Sequence, residues 1–136
     1  MSQAISPVSH FSYVALAVKD IKKTARFFAE TFGGNIQWLP GLESEGYLDA
    51  FVEIGNFKLY LMQPVSEDSV IARFIQKHGE GIHHICFKYD DYDLAVERLK
   101  QRNLTILERK GKYSFVHPKD AFGVLIELAP TNNGYD

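Results

Sequence analysis

The chain has 136 residues, 46% of them hydrophobic, and its 15 basic and 17 acidic residues give a formal net charge of −2. This balance is typical of one globular domain and argues against nucleic acid or a membrane surface as partner. The single cysteine, Cys86, excludes an intrachain disulfide and a cysteine-based metal site. No apolar run approaches the ~20 residues of a membrane span, and Met1–His10 lacks a secretion signal. The sequence therefore predicts a cytoplasmic protein.

The first half of the chain predicts a β-α-β-β-β order. Its strands are expected at residues 11–18, 36–39, 47–54 and 57–62. Asp20 caps the helix, which ends at Gly33-Gly34, and Gly55-Asn56 forms the hairpin turn. The helix carries its apolar stripe at helical spacing, on Ile21, Ala25, Phe28 and Phe32.

The second half repeats this order after a connecting helix, predicted at residues 66–80. Strands are expected at residues 82–89, 105–107, 113–117 and 124–128, and Asp90 or Asp91 caps the second helix. The sequence thus predicts a single α+β domain over residues 1–136. Its two modules span about residues 11–64 and 82–130. They are expected to form a curved mixed sheet around one cleft.

The two halves align strand on strand. The segment YVALAVKD from Tyr13 aligns with HICFKYDD from His84, and KLYL aligns with LIEL. Tyr13 is then equivalent to His84, and Tyr60 to Glu127. Because neighbouring side chains on a strand alternate between faces, His84 points inward with Cys86 while Ile85 and Phe87 point the other way. The four equivalent side chains are expected to converge on the cleft, which is the geometry of a small-molecule site.

Paired modules of this kind resemble the vicinal oxygen chelate superfamily, which includes the glyoxalase and bleomycin resistance proteins. Four segments are similar to the methylmalonyl-CoA epimerase branch: VALAVKDIKK, ETFGG, GIHHICFKYDD and VHPKDAFGVLIEL. The resemblance runs from about Tyr13 to Pro130. It implies a homodimer and an isomerase that acts on a small carbonyl substrate, such as a thioester of CoA or of a carrier protein.

The resemblance also implies a divalent metal site with four ligands. The family holds its metal with a histidine on the first strand, Gln or Glu on the fourth, a histidine on the fifth and a glutamate on the last. His84 and Glu127 match the last two, whereas Tyr13 and Tyr60 stand at the other positions. A neutral phenol with a pKa of about 10 is a poor ligand for such a metal. We therefore expect no tightly bound cofactor, and weak divalent metal binding only through His84 and Glu127.

The family also uses a catalytic carboxylate three residues after the glycine that opens its third strand, and Asp49 occupies that position here. Asp49 and Glu127 are then the candidate groups for proton transfer next to a carbonyl. Tyr13 and Tyr60 are candidate hydrogen-bond donors to the enolate oxygen in place of the metal. The alternative is that both tyrosines only fill the volume of a lost metal site.

Three further residues are candidates for substrate contacts: His84, His117 and Tyr47. The alternative for His117 is a strand-end residue with a backbone partner. The leading hypothesis is an epimerase-like enzyme. The alternatives are a non-catalytic small-molecule binding protein and a metal-independent lyase, decarboxylase or cyclase of the same fold. An enzyme is expected to keep Asp49 and Glu127 unpaired, whereas a binding protein would neutralise them with Lys or Arg.

Overall fold

The computed structural model describes residues 4–41, 46–109 and 111–132. The first module contains β1 (His10–Ala17), α1 (Ile21–Phe32), β2 (Gly34–Trp38), β3 (Tyr47–Ile54) and β4 (Phe57–Pro64). After the connecting helix α2 (Val70–His78), the second module contains β5 (Gly81–Tyr89), α3 (Tyr92–Gln101), β6 (Ile106–Arg109), β7 (Tyr113–Val116) and β8 (Ile126–Pro130). The predicted α+β class and the two β-α-β-β-β modules are confirmed.

One compact unit spans Tyr13–His83. Its strand order is β2-β3-β4-β1, in which β1 and β4 run parallel and the remaining pairs antiparallel. Parallel pairing of the first and last strand requires a crossover, and here α1 and the β2–β3 hairpin supply it. Helix α1 covers one face of this sheet through a core of buried residues from α1, β1, β3 and β4: Val18, Ile21, Ala25, Ala50, Val52, Leu59 and Leu61.

The other compact unit joins residues 84–136 with residues 1–12. Its strand order is β5-β8-β7-β6, again with a parallel pair between first and last strand. Helix α3 covers one face, and the buried core residues there are Tyr89, Tyr92, Ala95, Val96, Val116 and Leu128. The segment before β1 packs in this unit, because the Ser9 N–H donates to the Lys88 carbonyl at 2.8 Å. In each unit, one face of the sheet therefore packs against a helix, and the opposite face makes other contacts.

Most element boundaries agree with the sequence predictions to within two residues, but the start of the connecting helix differs by more, and two features of the second module were not expected. The connecting helix begins at Val70, because the Ser69 side chain accepts the Ala72 N–H and so acts as N-cap. The last strand extends through Pro130, a residue expected to end it. A 3₁₀ turn at Pro118–Asp120 was not expected at all. Parts of the predicted loop and tail, residues 42–45 and 133–136, lie outside the described residues.

None of the helices in the described ranges combines the length and apolar character that crossing a bilayer requires.

The two ends of α1 test whether the sequence predicts where this helix begins and ends. Asp20 accepts the Lys23 N–H at 3.1 Å, and Gly33 ends the helix in the left-handed conformation at φ 76°. Both features were predicted from the sequence, and both satisfy backbone groups that a helix leaves unpaired at its ends.

We predict that Asp20→Ala lowers the free energy of unfolding by about 1 kcal/mol, since it removes this cap. Glu30→Ala is the matched control, because Glu30 is an exposed acidic residue within the same helix. Urea unfolding of both variants measures the difference. Equal stability of Asp20→Ala and Glu30→Ala would contradict the role assigned to the cap.

Candidate functional site

The sheet face of the first unit that points away from α1 carries the candidate site residues. Leu59 and Leu61 belong to the α1 core, so Tyr60 between them points to the opposite face. The same alternation applies to β3, where Ala50 and Val52 face α1. The side chains on the opposite face include Tyr13, Asp49, Phe51, Lys58 and Tyr60.

Three aromatic rings pack together on this face. The ring centroids of Tyr13 and Tyr60 are 5.0 Å apart, and Phe51 lies 5.7 Å from Tyr13 and 5.1 Å from Tyr60. Each residue is at most 3% exposed. These separations are typical of interacting aromatic pairs. The positions that the superfamily uses for two metal ligands are therefore part of a closely packed aromatic cluster.

Asp49 is buried beside this cluster and is held through both carboxylate oxygens. The Tyr60 hydroxyl donates to Oδ2 at 2.6 Å, and the Gly41 N–H donates to Oδ1 at 2.9 Å. Gly41 has a φ of 86°, a left-handed conformation that other residues adopt at a cost. The aspartate is thus fixed in orientation by β4 on one side and by the chain after β2 on the other.

The pKa of Tyr60 is raised far above its usual value of about 10. Burial is the largest cause, followed by the electrostatic effect of Tyr47 and by the hydrogen bond to Asp49. Burial and a neighbouring carboxylate both disfavour a phenolate. Tyr60 is therefore a neutral phenol, and its one hydroxyl proton is directed at Asp49. The prediction that Tyr60 donates to an enolate oxygen requires this proton to change its acceptor.

The second unit holds the pair His84 and Glu127, at the positions equivalent to Tyr13 and Tyr60. His84 Nε2 lies 3.0 Å from Glu127 Oε1, and both residues are buried. The Phe115 ring stands edge-on to the His84 ring at 5.3 Å. A ring proton on Nε2 would donate to the carboxylate in this geometry. The contact fixes the orientation of the His84 and Glu127 side chains relative to each other.

The strand registers show that Tyr13 and Tyr60 of the first unit are equivalent to His84 and Glu127 of the second. In each unit, the last strand places one site residue opposite a small residue of the first strand and opposite a phenylalanine of the third. The register pairs are Tyr60 with Ala15 and Phe51, and Glu127 with Cys86 and Phe115. Tyr13 and His84 each lie two residues before that small residue. The predicted internal repeat is confirmed residue by residue. Convergence of all four side chains on one cleft stays a prediction.

The expectation that an enzyme would keep both carboxylates unpaired was wrong. Asp49 is 3% exposed and Glu127 is 7% exposed, and a carboxylate this buried needs hydrogen-bond donors. The partners are a phenol and a backbone N–H for Asp49, and an imidazole for Glu127. Each carboxylate therefore has at least one hydrogen-bonding partner, and none of the partners named here is a Lys or Arg.

The remaining candidate residues, Tyr47 and His117, make different local contacts. Tyr47 hydrogen-bonds to Tyr60 and contributes to the shift of its pKa. His117 caps the 3₁₀ turn, because its Nδ1 accepts the Lys119 N–H at 3.0 Å and its own N–H donates to the Thr105 carbonyl. This local role agrees with the alternative stated for His117. A substrate contact for either residue stays a prediction.

The sequence suggested Phe115 as a residue that lines the cleft or belongs to the core, but Phe51 and the depth at which Lys88 is buried were missed. Extending the repeat alignment from the first and last strands to the third would have found Phe51 as the equivalent of Phe115. Lys88 is fully buried on the same face of β5 as His84. The alternation along β5 predicted its face but could not predict how deeply it is buried.

The donors present do not fit a catalytic divalent metal. Within the described ranges, no three His, Cys, Asp or Glu side chains are grouped so that they could hold a metal ion. His84 and Glu127 supply two donors. At the equivalent positions stand the phenols of Tyr13 and Tyr60, and the Tyr60 hydroxyl is already directed at Asp49. Neutral phenols are weak ligands beside imidazole and carboxylate.

Comparison with known proteins agrees with this architecture. Residues 12–121 match the family model of the Glyoxalase/Bleomycin resistance protein/Dioxygenase superfamily. The mitochondrial methylmalonyl-CoA epimerase of Homo sapiens is 36% identical over 129 residues, which are 89% of this chain and 73% of that protein. The crystal structure of methylmalonyl-CoA epimerase from Mycobacterium tuberculosis has a TM-score of 0.84 at 30% identity, covering 94% of this chain and 91% of that one.

A further solved structure carries a ligand. Methylmalonyl-CoA epimerase of Streptomyces coelicolor, in complex with 2-nitronate-propionyl-CoA, has a TM-score of 0.84 and 28% identity, with 93% of this chain and 99% of that chain covered. Fold, internal repeat and sequence similarity thus agree. The chain belongs to the Glyoxalase/Bleomycin resistance protein/Dioxygenase superfamily, and its relatives there are methylmalonyl-CoA epimerases.

Proposed function

We propose that this protein is an epimerase that inverts the α-carbon of a 2-substituted malonyl thioester, with CoA or a carrier protein as the thiol. The observation that supports this most is the presence of two buried carboxylates, Asp49 and Glu127, each with at least one hydrogen-bonding partner. The relatives are named for methylmalonyl-CoA, and one is in complex with a propionyl-CoA analogue. The α-proton of such a thioester is acidic enough for a carboxylate to remove.

The proposed reaction removes one proton from the α-carbon, delivers a different one, and changes no oxidation state; the accepting residue starts as a carboxylate and the donating residue starts protonated. One carboxylate takes the α-proton, the C–H bond breaks, and its electron pair moves into the enolate with charge on the thioester oxygen. The carboxyl group of the other residue returns a proton to the opposite face of the planar enolate. Asp49 and Glu127 take these two roles, and they exchange them in the reverse direction. A positioned acid or base of this kind typically contributes about 10²–10⁴-fold to the rate.

The hydrogen bond between Tyr60 and Asp49 suggests how charge on the enolate is stabilised without a metal. Before proton transfer, the Tyr60 hydroxyl donates to the Asp49 carboxylate. Once Asp49 carries the substrate proton, it no longer requires this donor, and the Tyr60 proton can turn to the enolate oxygen. Tyr13, whose ring lies 5.0 Å from that of Tyr60, is the second proposed donor. An interaction made only after proton transfer lowers the barrier without tightening substrate binding.

In the second unit, His84 is the proposed positioning residue for Glu127. The imidazole Nε2 lies 3.0 Å from Oε1 of Glu127 and so positions that carboxylate. Each unit then contributes a carboxylate together with a side chain that orients it.

The proposal includes independence from a divalent metal. Its support is the chemistry of the donors, since two phenols stand where the superfamily uses metal ligands and one of them is engaged with Asp49. The aromatic packing of Tyr13, Phe51 and Tyr60 also favours a second candidate function, a non-catalytic small-molecule binding protein. In that case the tyrosines would fill space, and the carboxylates would have no chemical role.

We predict that Asp49→Asn and Glu127→Gln each slow α-proton exchange by about 10²–10⁴-fold, because each removes one proton-transfer group. Tyr13→Phe keeps the ring and loses the hydroxyl, so exchange should slow by about 10²-fold without loss of fold. The assay is deuterium incorporation from D₂O into methylmalonyl-CoA, followed by mass spectrometry. Unchanged rates in all three variants, or no exchange by the wild type, would favour the binding protein.

We predict that the purified protein retains well below one divalent metal ion per chain, and that chelator leaves its exchange rate unchanged. Elemental analysis before and after dialysis against chelator measures this directly. The comparison variant is His84→Ala, which removes one of the two remaining donors. About one metal per chain in the wild type, lost in His84→Ala, would contradict the proposed metal independence.

The raised pKa of Tyr60 predicts a specific loss of stability in alkali. In the unfolded chain this phenol ionises near pH 10, whereas in the folded protein it stays protonated to higher pH. Above pH ~10 the unfolded state binds fewer protons, so the free energy of unfolding falls by up to about 1.4 kcal/mol per pH unit. Tyr60→Phe lacks this contribution. Urea unfolding of both proteins between about pH 8 and pH 11 should show the difference, and parallel profiles would contradict it.

A further inference from the structure

The backbone of Gly41 makes one of the two hydrogen bonds that hold the Asp49 side chain. Its N–H donates to Asp49 Oδ1 at 2.9 Å, while the Tyr60 hydroxyl donates to Oδ2. Gly41 lies three residues beyond the end of β2. In the same stretch, the Leu39 N–H donates to the Asp49 carbonyl at 3.3 Å. The chain that follows β2 therefore binds Asp49 through both its backbone and its side chain.

Gly41 has a backbone conformation that a residue with a side chain adopts only at a cost. Its φ is 86°, in the left-handed region, where a Cβ approaches the following carbonyl oxygen. A Cβ at this position would lie 3.4 Å from Leu48 Cδ2 and 3.7 Å from the Tyr47 carbonyl oxygen, which leaves room for a small side chain. Leu48 is itself exposed, so its side chain can move. A substitution at position 41 therefore acts through the backbone torsion, which sets the direction of the N–H, rather than through a clash.

A backbone N–H is suited to holding a carboxylate that must accept a proton. It donates one hydrogen bond and carries no net charge, so it fixes one oxygen without neutralising the group as Lys or Arg would. Orientation of this kind matters for proton transfer, since a misplacement of about 1 Å can cost about 10²-fold in rate. The contact of Gly41 with Oδ1 therefore bears on the rate at which Asp49 reacts.

We propose that Gly41 is a positioning residue for Asp49, whose N–H holds Oδ1 so that the carboxylate meets the α-proton in a single orientation. This inference rests on the proposed function, because it concerns the same proton transfer. A group that only orients the base acts on the chemical step and not on substrate binding. Its loss therefore lowers kcat and kcat/KM together and leaves KM nearly unchanged.

The kinetic test compares Gly41→Val, Gly41→Asn and Gly55→Val by deuterium incorporation from D₂O into methylmalonyl-CoA. Gly41→Val should lower kcat about ten-fold and keep KM within about two-fold, as expected for the loss of one hydrogen bond to a charged group. Gly41→Asn should stay within about three-fold of the wild-type kcat, because Asn tolerates a positive φ better than Val does.

Gly55→Val is the matched control for backbone strain. Gly55 has a φ of 59° in the turn between β3 and β4, and its Cβ would meet nothing within 4 Å in the described part of the chain. This variant therefore strains a left-handed position of the same unit without touching the contact to Asp49. Its kcat should equal that of the wild type.

A second measurement detects the contact itself and requires no turnover. In ¹⁵N-labelled protein, an amide proton bonded to a carboxylate resonates downfield, so Asp49→Asn should move the Gly41 amide proton upfield. Glu127→Gln is the comparison variant, because Glu127 belongs to the other unit and should leave this signal in place.

The inference is overturned if Gly41→Val keeps the wild-type kcat, if it changes KM alone, or if Gly55→Val loses as much of kcat. A Gly41 amide signal that Asp49→Asn leaves unmoved overturns it as well. Urea unfolding shows whether each variant is folded, and Gly41→Ala takes the place of Gly41→Val if that variant is not. Absence of exchange by the wild type would refute the epimerase proposal, whereas wild-type exchange with an unaffected Gly41→Val would refute only the role of Gly41.

Discussion

The parallel pairing of first and last strands determines which side chains can meet in each unit. It places Tyr60 beside β1 and Glu127 beside β5, with register partners that correspond one to one. Because side chains alternate along a strand, the same pairing sends Leu61 and Leu128 to the helix-covered faces, where they pack in the two cores. A slip of one residue would exchange the two faces of a strand and bury the wrong set. In each unit, the buried core and the candidate site residues therefore depend on the same strand register.

The two units use different residues to orient a buried carboxylate. Each buries a carboxylate, and each provides a side chain that orients it: the Tyr60 hydroxyl for Asp49 and the His84 ring for Glu127. The units differ in where the carboxylate lies, since Asp49 belongs to β3 and Glu127 to β8. The donor on β4 is a phenol with one proton, so its hydrogen bond to Asp49 couples the protonation of the carboxylate to the direction of the hydroxyl. Tyr60 therefore contributes to the electrostatics of the first unit as well as to its packing.

The sequence predicted the modules, the repeat and the capped start of α1, because these follow from strand alternation, helical spacing and N-cap chemistry. It also named Tyr13, Asp49, Tyr60, His84 and Glu127 as candidate site residues, and their roles stay predictions. It did not predict that Tyr60 would donate to Asp49, because a contact between β3 and β4 depends on register and side-chain rotamer. The packing of Phe51 against both tyrosines was missed for the same reason. The cytoplasmic localisation and the homodimer stay predictions.

The central claim is that two carboxylates on opposite faces of the α-carbon exchange its proton without a metal. The most direct measurement starts from one pure enantiomer of methylmalonyl-CoA in D₂O, with chelator present, and analyses substrate and product separately at low conversion. Two carboxyl groups that act on opposite faces should deliver a solvent deuteron to every inverted molecule, while recovered substrate remains unlabelled at first. Inversion with retained protium would contradict the account, and so would inversion that requires an added divalent metal.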